Sequence, residues 1–263
     1  MIEEMTKLGQ LAVRRVMLSA SLRLLQRAPH RPAAHPIPEE AAAHHWIQRT
    51  LLNQIGVNCV IDVGAHSGEY GHQLRRAGYR GEIASFEPVA ASYSSLERRA
   101  ARDAHWTTHR VALGSAPGSA TMHVSRQSVF SSFMRVNEFA TGYLPESATT
   151  GTEEVEVQRL DAVFDRLCGH IPNPRVLLKT DTQGWDLEVI EGARGCLHHV
   201  VALQAELSVR PIYEEQPDWR TALAALEHEG FTPVHLATVT RDASLRVVEF
   251  DYLGVRSDAV SVD

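Results

Sequence analysis

Short apolar runs, each closed by an acid or a glycine, recur along the chain and alternate with amphipathic stretches. Val60-Ile61-Asp62-Val63 leads into Gly64, Glu82-Ile83-Ala84-Ser85-Phe86 into Glu87, Arg175-Val176-Leu177-Leu178-Lys179-Thr180 into Asp181, and Val200 to Leu207 carries Glu206 near its end. Runs this short read as buried strands. Between them, Glu69 to Ala77, Val89 to Ala101, Asp161 to Leu167, Leu187 to Ala193 and Pro217 to Glu229 have helical patterning. Strands that alternate with helices predict an α/β domain with a mostly parallel sheet. A third strand is expected over Trp106 to Leu113 and a short extra one over Ser119 to Val124. Glu153 to Leu160 alternates as a half-exposed strand, and two strands close the chain, Phe231 to Leu236 and Leu245 to Val255.

The first 45 residues differ from the rest. Apolar residues from Leu8 to Leu25 recur at helical spacing, while Lys7, Arg14, Arg15, Arg23 and Arg27 add positive charge with no acid between Met5 and Pro38. This pattern predicts a basic amphipathic helix over residues 5–27, followed by a Pro-rich linker over 28–38. Such a helix suits peripheral attachment to an anionic membrane, or packing on the main domain or a second copy of the chain. The expected organisation is therefore a helical extension over residues 1–45 and a catalytic domain over 46–263, entered through a helix from Glu39 to Ile55. His44 and His45 in that helix lack companions at metal-ligand spacing and read as surface or packing residues.

At 263 residues with a net charge of −6, the chain can bury a large core and offers no broad cationic surface for nucleic acid. Cys59, Cys168 and Cys196 are far apart in sequence, form no C-x-x-C and cannot all pair, which suits a reduced, cytoplasmic setting without a cysteine metal site. No apolar run reaches membrane-spanning length, and no signal peptide stands out.

The chemistry starts at Asp62-Val63-Gly64-Ala65-His66-Ser67-Gly68-Glu69-Tyr70. A strand, a tight glycine turn and a helix start bring backbone N–H groups to a ligand. The dinucleotide fingerprint needs a third glycine that is missing here, so pyrophosphate fits poorly, whereas S-adenosylmethionine presents a carboxylate, an amine and a ribose instead. Glu87, about 20 residues past the loop, stands where such sheets place a ribose-hydroxyl acceptor, and Pro88 starts the following helix. Val111 and Ala112 end the third strand, as adenine walls or as plain strand residues. Residues 125–151 form a long segment rich in Ser, Thr and Gly, in which Ser131 and Ser132 are candidates to line an acceptor pocket.

Taken together, these stretches resemble the FkbM family of S-adenosylmethionine-dependent methyltransferases. The likeness is carried by residues 60–65 with 68–70, Phe86-Glu87-Pro88, Val111-Ala112-Leu113-Gly114, Leu160-Asp161, and Leu178 to Gly184 running on to Leu187 to Ala193. The resemblance covers about residues 58 to 255 and implies a Rossmann-like sheet of seven strands with an antiparallel last strand. It also implies methyl transfer to a hydroxyl of a sugar or polyketide-type small molecule. His66 and Asp186 depart from the residues common in the family, and Trp185 is bulky where a small residue is frequent.

An alcohol must lose its proton as it is methylated, so a base is expected beside the acceptor. Asp181 and Glu206, at the ends of strands that neighbour each other in this fold, are the expected acceptor-activating pair, with Gln183 and Trp185 as acceptor contacts. Asp62, Gly64, Ala65, His66, Gly68, Tyr70, Glu87, Pro88, Val111 and Ala112 are the expected cofactor contacts. His66 is the alternative base, and Asp181 has a purely structural reading as a cap on the turn at Gly184. A divalent cation held by Asp181 and Glu206 is the less favoured mechanism, since only two oxygen ligands can be named. An oxidoreductase using a nicotinamide dinucleotide and a non-catalytic scaffold are the rival functions.

Overall fold

The computed structural model describes residues 38–257, so the basic stretch 5–27 lies outside the described residues. A helix, α1 (Pro38–Gln54), precedes strand β1 (Cys59–Val63). There follow α2 (Glu69–Arg76), β2 (Glu82–Phe86), α3 (Ala90–Ala100) and β3 (Trp106–His109). After an inserted segment come α5 (Leu160–Cys168), β7 (Val176–Thr180), α6 (Asp186–Ala193), β8 (Val200–Ser208), α7 (Trp219–His228), β9 (Phe231–Arg241) and β10 (Val247–Arg256). The main sheet has the order β3-β2-β1-β7-β8-β10-β9, and β10 runs antiparallel to both of its neighbours. This is the expected seven-stranded Rossmann-like sheet with its last strand reversed.

The core follows from the sequence pattern. Strands β1 and β7 are buried along their whole length and pack apolar clusters against both faces. One face carries a buried polar row as well. The registers Ser85 to Asp62, Asp62 to Lys179 and Lys179 to Gln204 align four polar side chains across four strands. Trp106 Nε1 donates to Ser85 Oγ at 3.0 Å, and Ser85 Oγ donates to Asp62 Oδ2 at 3.2 Å. Lys179 Nζ lies 3.1 Å from Asp62 Oδ1, and Gln204 Oε1 accepts from Tyr70 and Gln48. Polar groups this deep require such partners.

The third strand departs from expectation. It stops at His109, and Ala112–Leu113 form a separate strand, β4, that leaves the main sheet for a second one. There β4 and β5 (Gly118–Ser125) both pair with β6 (Thr149–Gln158). Arg110 at the break reaches Glu153 of β6 at 2.8 Å, and Val111, Ala112 and Leu113 are buried. The chain bends at Val111 and so changes partner. The segment 125–151 is built of two 3-10 turns, Ser128–Phe130 and Pro145–Ser147, and one short helix, α4 (Glu138–Tyr143). The side chain of Asn137 caps α4 by accepting from Ala140 N at 3.0 Å. Two of the three cysteines, separated by 109 positions, meet in the core, with Cys59 and Cys168 sulfurs 3.5 Å apart and no disulfide.

Candidate active site

The ends of β1, β2, β7 and β8 carry the loops that form the site. Gly64 follows β1 with φ of 75°, and a Cβ there would collide with the Asp181 carbonyl, so only glycine lets these two loops touch. Gly64 and Ala65 donate to Phe86 O at 3.0 Å each, and Asp181 N donates to Val63 O at 3.0 Å. These bonds fix the loop between its two neighbouring strands. His66, also in the left-handed region at φ 48°, turns its ring to Ser128 Oγ at 2.7 Å, which ties the loop to the inserted segment.

Two cavities meet at this loop. The first, about 330 Å³, is walled by Val111, Ala112, Leu113, Met122 and Phe133 and ends on the Glu87 carboxylate. Gly64, His66, Pro88, Ser131, Asp181, Gln183, Trp185 and Glu206 also line it. The second, about 450 Å³, is polar and includes Ala65, Tyr70, Lys179, Asp181 and Asp251 together with His44 and Gln48 of α1. Gly64, His66, Val129 and Asp181 belong to both, so the loop is a wall shared by the two cavities.

The donor set fits a purine nucleoside with an amino-acid tail. An apolar slot suits the flat base, and a carboxylate at its end suits two hydroxyl donors. Glu87 accepts from His66 N and Val89 N at 2.9 Å each, one on each oxygen, and each oxygen keeps a further lone pair for the ligand. Burial, opposed by those two N–H groups, pushes Glu87 up to about 7. In the polar cavity, Asp181 and Asp251 can meet an amine. Among the described residues no lysine or arginine lines the first cavity, which suits a ligand without a pyrophosphate.

Asp181 and Glu206 come together as expected, through a third side chain. Gln183 Nε2 donates to Asp181 Oδ1 and to Glu206 Oε2, both at 3.0 Å. The buried Tyr213 hydroxyl donates to Gln183 Oε1 at 2.7 Å, which fixes which end of the amide faces the carboxylates. Burial, followed by the charges of Glu249, Asp181, Asp251 and Asp186, holds Glu206 well above the usual carboxylate range. Lys179, 3.4 Å from Asp181, also serves Asp62. Burial alone would lower its pKa, but the two carboxylates outweigh that and hold it charged. Among the described residues no group of three or more His, Cys, Asp or Glu is arranged to hold a metal ion.

Several expected contacts lie elsewhere. Asp62 is fully buried beneath the loop, paired with Lys179 and Ser85, and lines neither cavity. Gly68, at φ 82°, starts α2 and packs so closely that a Cβ would lie 2.9 Å from Leu96. It too is absent from both walls. Ser132 is fully buried and donates to Gln183 O at 2.7 Å, so it braces the turn from behind. Tyr70 lines the polar cavity alone, its hydroxyl already bonded to Gln48 and Gln204.

Four charged residues in the cavities were not among the expected contacts: Glu69, Lys179, Glu249 and Asp251. Lys179 did leave a signal, since a lysine inside an otherwise apolar strand must be paired. Glu249 and Asp251 alternate along the last strand, but its place beside β8 depends on long-range topology. Register sets Asp251 opposite Glu206 and Glu249 opposite Ser208, on one face.

The sheet order and the reversed last strand are those of a Rossmann-like methyltransferase fold, with the glycine loop and its cavities at the strand ends. The model of the "Methyltransferase FkbM domain" matches residues 62–233, so the chain belongs to the FkbM family of S-adenosylmethionine-dependent methyltransferases. Among solved structures, fibrillarin of Aeropyrum pernix, determined with natively bound S-adenosyl-L-methionine, is 10% identical with a TM-score of 0.44, over 80% of this chain and 74% of that one. The precorrin-6y C5,15-methyltransferase of Geobacter metallireducens GS-15 is 12% identical with a TM-score of 0.43, over 81% and 87%. Magnesium protoporphyrin IX methyltransferase of Synechocystis PCC 6803, solved with bound SAM, is 11% identical with a TM-score of 0.41, over 82% and 81%. No curated protein matches the chain.

Proposed function

We propose that the chain transfers a methyl group from S-adenosylmethionine to a hydroxyl oxygen of a small molecule, a glycoside, glycolipid or polyketide-type acceptor. The observation that carries this reading is the Asp181–Gln183–Glu206 bridge, which holds two carboxylates at the rim of the nucleoside-shaped cavity. When bound, the cofactor supplies an electrophilic methyl on a sulfonium. Glu206 takes the acceptor proton as the new C–O bond forms, and the Gln183 amide, held by Tyr213, keeps the carboxylate aimed. Apolar walls and Trp185, whose ring lies 5.0 Å from that of Phe133, exclude water and position the acceptor. Without an established acceptor, the test is product capture. The protein is incubated with methyl-labelled cofactor and extract of its source cell, and the labelled product is identified. A methyl ether of a small molecule is expected. Label in nucleic acid or protein, or none transferred, contradicts the proposal.

The proposed setting is the cytoplasm, with residues 5–27 touching an anionic membrane surface or a second copy of the chain. Among the described residues no helix is long and apolar enough to cross a membrane. The basic patterning of residues 5–27 supports surface contact.

A further inference from the structure

The first cavity is unbalanced in charge. Glu87, Asp181, Glu206 and Glu249 line it, and among the described residues no lysine or arginine does. Glu87 is served by two backbone N–H groups, and Asp181 has Lys179 on its polar-cavity side. Glu206 and Glu249 have neutral donors instead. Glu206 accepts from the Gln183 amide, and Glu249 accepts from Ser208 Oγ and Thr240 Oγ1 at 3.3 Å each. The groups around them do not supply the missing charge. Asp181 stands at the end of β7, Asp186 at the start of α6 and Asp251 on β10, and the Tyr213 hydroxyl is neutral. Of the bases, Lys179 is committed to Asp62 and Asp181, and the His66 ring to Ser128. Glu249, buried, and Glu206, half-buried, stand on one face of adjacent strands with no lysine or arginine among the described residues of the cavity wall, so they need either a proton or a cationic ligand.

We propose that Glu206 and Glu249 form a proton-holding pair that reads the charge of the cofactor, giving up a proton when a sulfonium enters the cavity and keeping one when the sulfur is neutral. This rests on the S-adenosylmethionine reading above. Glu206 is the catalytic member and Glu249 a positioning residue that shares the charge. The proposal gives the transfer step its electrostatic logic. The acceptor O–H proton moves to Glu206 as the C–O bond forms, while the C–S bond breaks and its electron pair stays on sulfur. One positive and one negative charge disappear together, and a poorly solvated cavity favours that change. Burial and the neighbouring carboxylates push Glu249 up to about 7, in keeping with a pair that is protonated until a cation arrives.

The test needs no acceptor. The full chain is titrated calorimetrically with S-adenosylmethionine, with S-adenosylhomocysteine and with sinefungin, which carries an ammonium in place of the methylsulfonium. Buffers of different ionisation enthalpy are used near ~pH 6.5, where the α-amino groups of all three ligands are protonated. S-adenosylmethionine and sinefungin are each expected to release about one proton and S-adenosylhomocysteine close to none. Accordingly, S-adenosylmethionine affinity should rise by up to about tenfold per pH unit through this range, while that of S-adenosylhomocysteine stays within about twofold. Glu206→Gln and Glu249→Gln should each at least halve the proton release while still binding S-adenosylhomocysteine. Equal release by all three ligands, or none by S-adenosylmethionine, overturns the proposal. If a variant fails to fold, seen as lost S-adenosylhomocysteine binding, the comparison in the wild-type protein decides alone. If none of the three binds wild type, the cofactor reading falls as well, an outcome distinct from binding without proton release.

Discussion

Lys179 offers a test of how the site is supported. Its ammonium lies 3.1 Å from Asp62 Oδ1, the side chains being 8% and 0% exposed, and 3.4 Å from Asp181. Lys179→Met keeps the length and packing of the side chain but leaves the Asp62 carboxylate in the middle of the sheet with Ser85 as its donor. Removing one partner of a buried pair costs about 3–5 kcal/mol, because the other charge stays desolvated. For a chain of this size that is a loss of about 10 °C in Tm. The double variant Asp62→Asn/Lys179→Met removes both charges, so it should recover much of the loss, with a coupling energy of about 2 kcal/mol or more. Urea denaturation followed by circular dichroism gives all three differences, provided the slopes agree. A Lys179→Met cost below about 1 kcal/mol, or strictly additive losses in the double variant, would refute the assignment of a buried, interdependent pair.

Three further outcomes are expected. Glu206→Gln should lower kcat by about 10²–10⁴-fold, the usual contribution of a positioned base, with S-adenosylhomocysteine affinity within about twofold of wild type; a smaller loss points to Asp181 or His66 as the base. Glu249 is raised from 4.5 to about 7, mainly by burial, so the folded state holds its proton where the unfolded chain has lost it. The stability it contributes is complete below about pH 4.5 and lost as pH rises through about 7, so Glu249→Gln should flatten the fall in Tm over that window; an unchanged slope contradicts this. Gly64→Ala should cost about 3 kcal/mol or more and impair cofactor binding, through left-handed strain and the clash with Asp181, as read by thermal unfolding and ligand titration.

The parallel strands were legible because burial on both faces leaves near-continuous apolar runs, as in Cys59 to Ile61 and Val176 to Leu178. The end of the third strand was less so. Trp106 to Leu113 reads as one extended stretch, and its change of partner at Arg110 and Val111 depends on β6, some 40 residues later. Local pattern carries no information about which sheet accepts a strand. The candidate site shows the same division. Gly64, Glu87, Asp181 and Glu206 were accessible from position alone, since strand ends of a parallel sheet share one edge. Asp62 stood inside an apolar run and looked like a ligand group, yet cross-strand register pairs it with Lys179. Gly68 is required for packing on α3 rather than for close approach to a ligand. Glu249 and Asp251 reach the edge because β10 runs backwards and its start lies beside the end of β8, a fact of topology.

The most direct test of the central claim is ligand titration of the wild-type chain with S-adenosylhomocysteine and with NAD in parallel. The first cavity with its apolar walls and Glu87, the polar cavity with Asp181 and Asp251, and the absence of a lysine or arginine among the described residues of the first cavity predict saturable binding of S-adenosylhomocysteine and no measurable binding of NAD. Tight binding of NAD with none of the sulfur ligand would contradict the methyltransferase reading of this site.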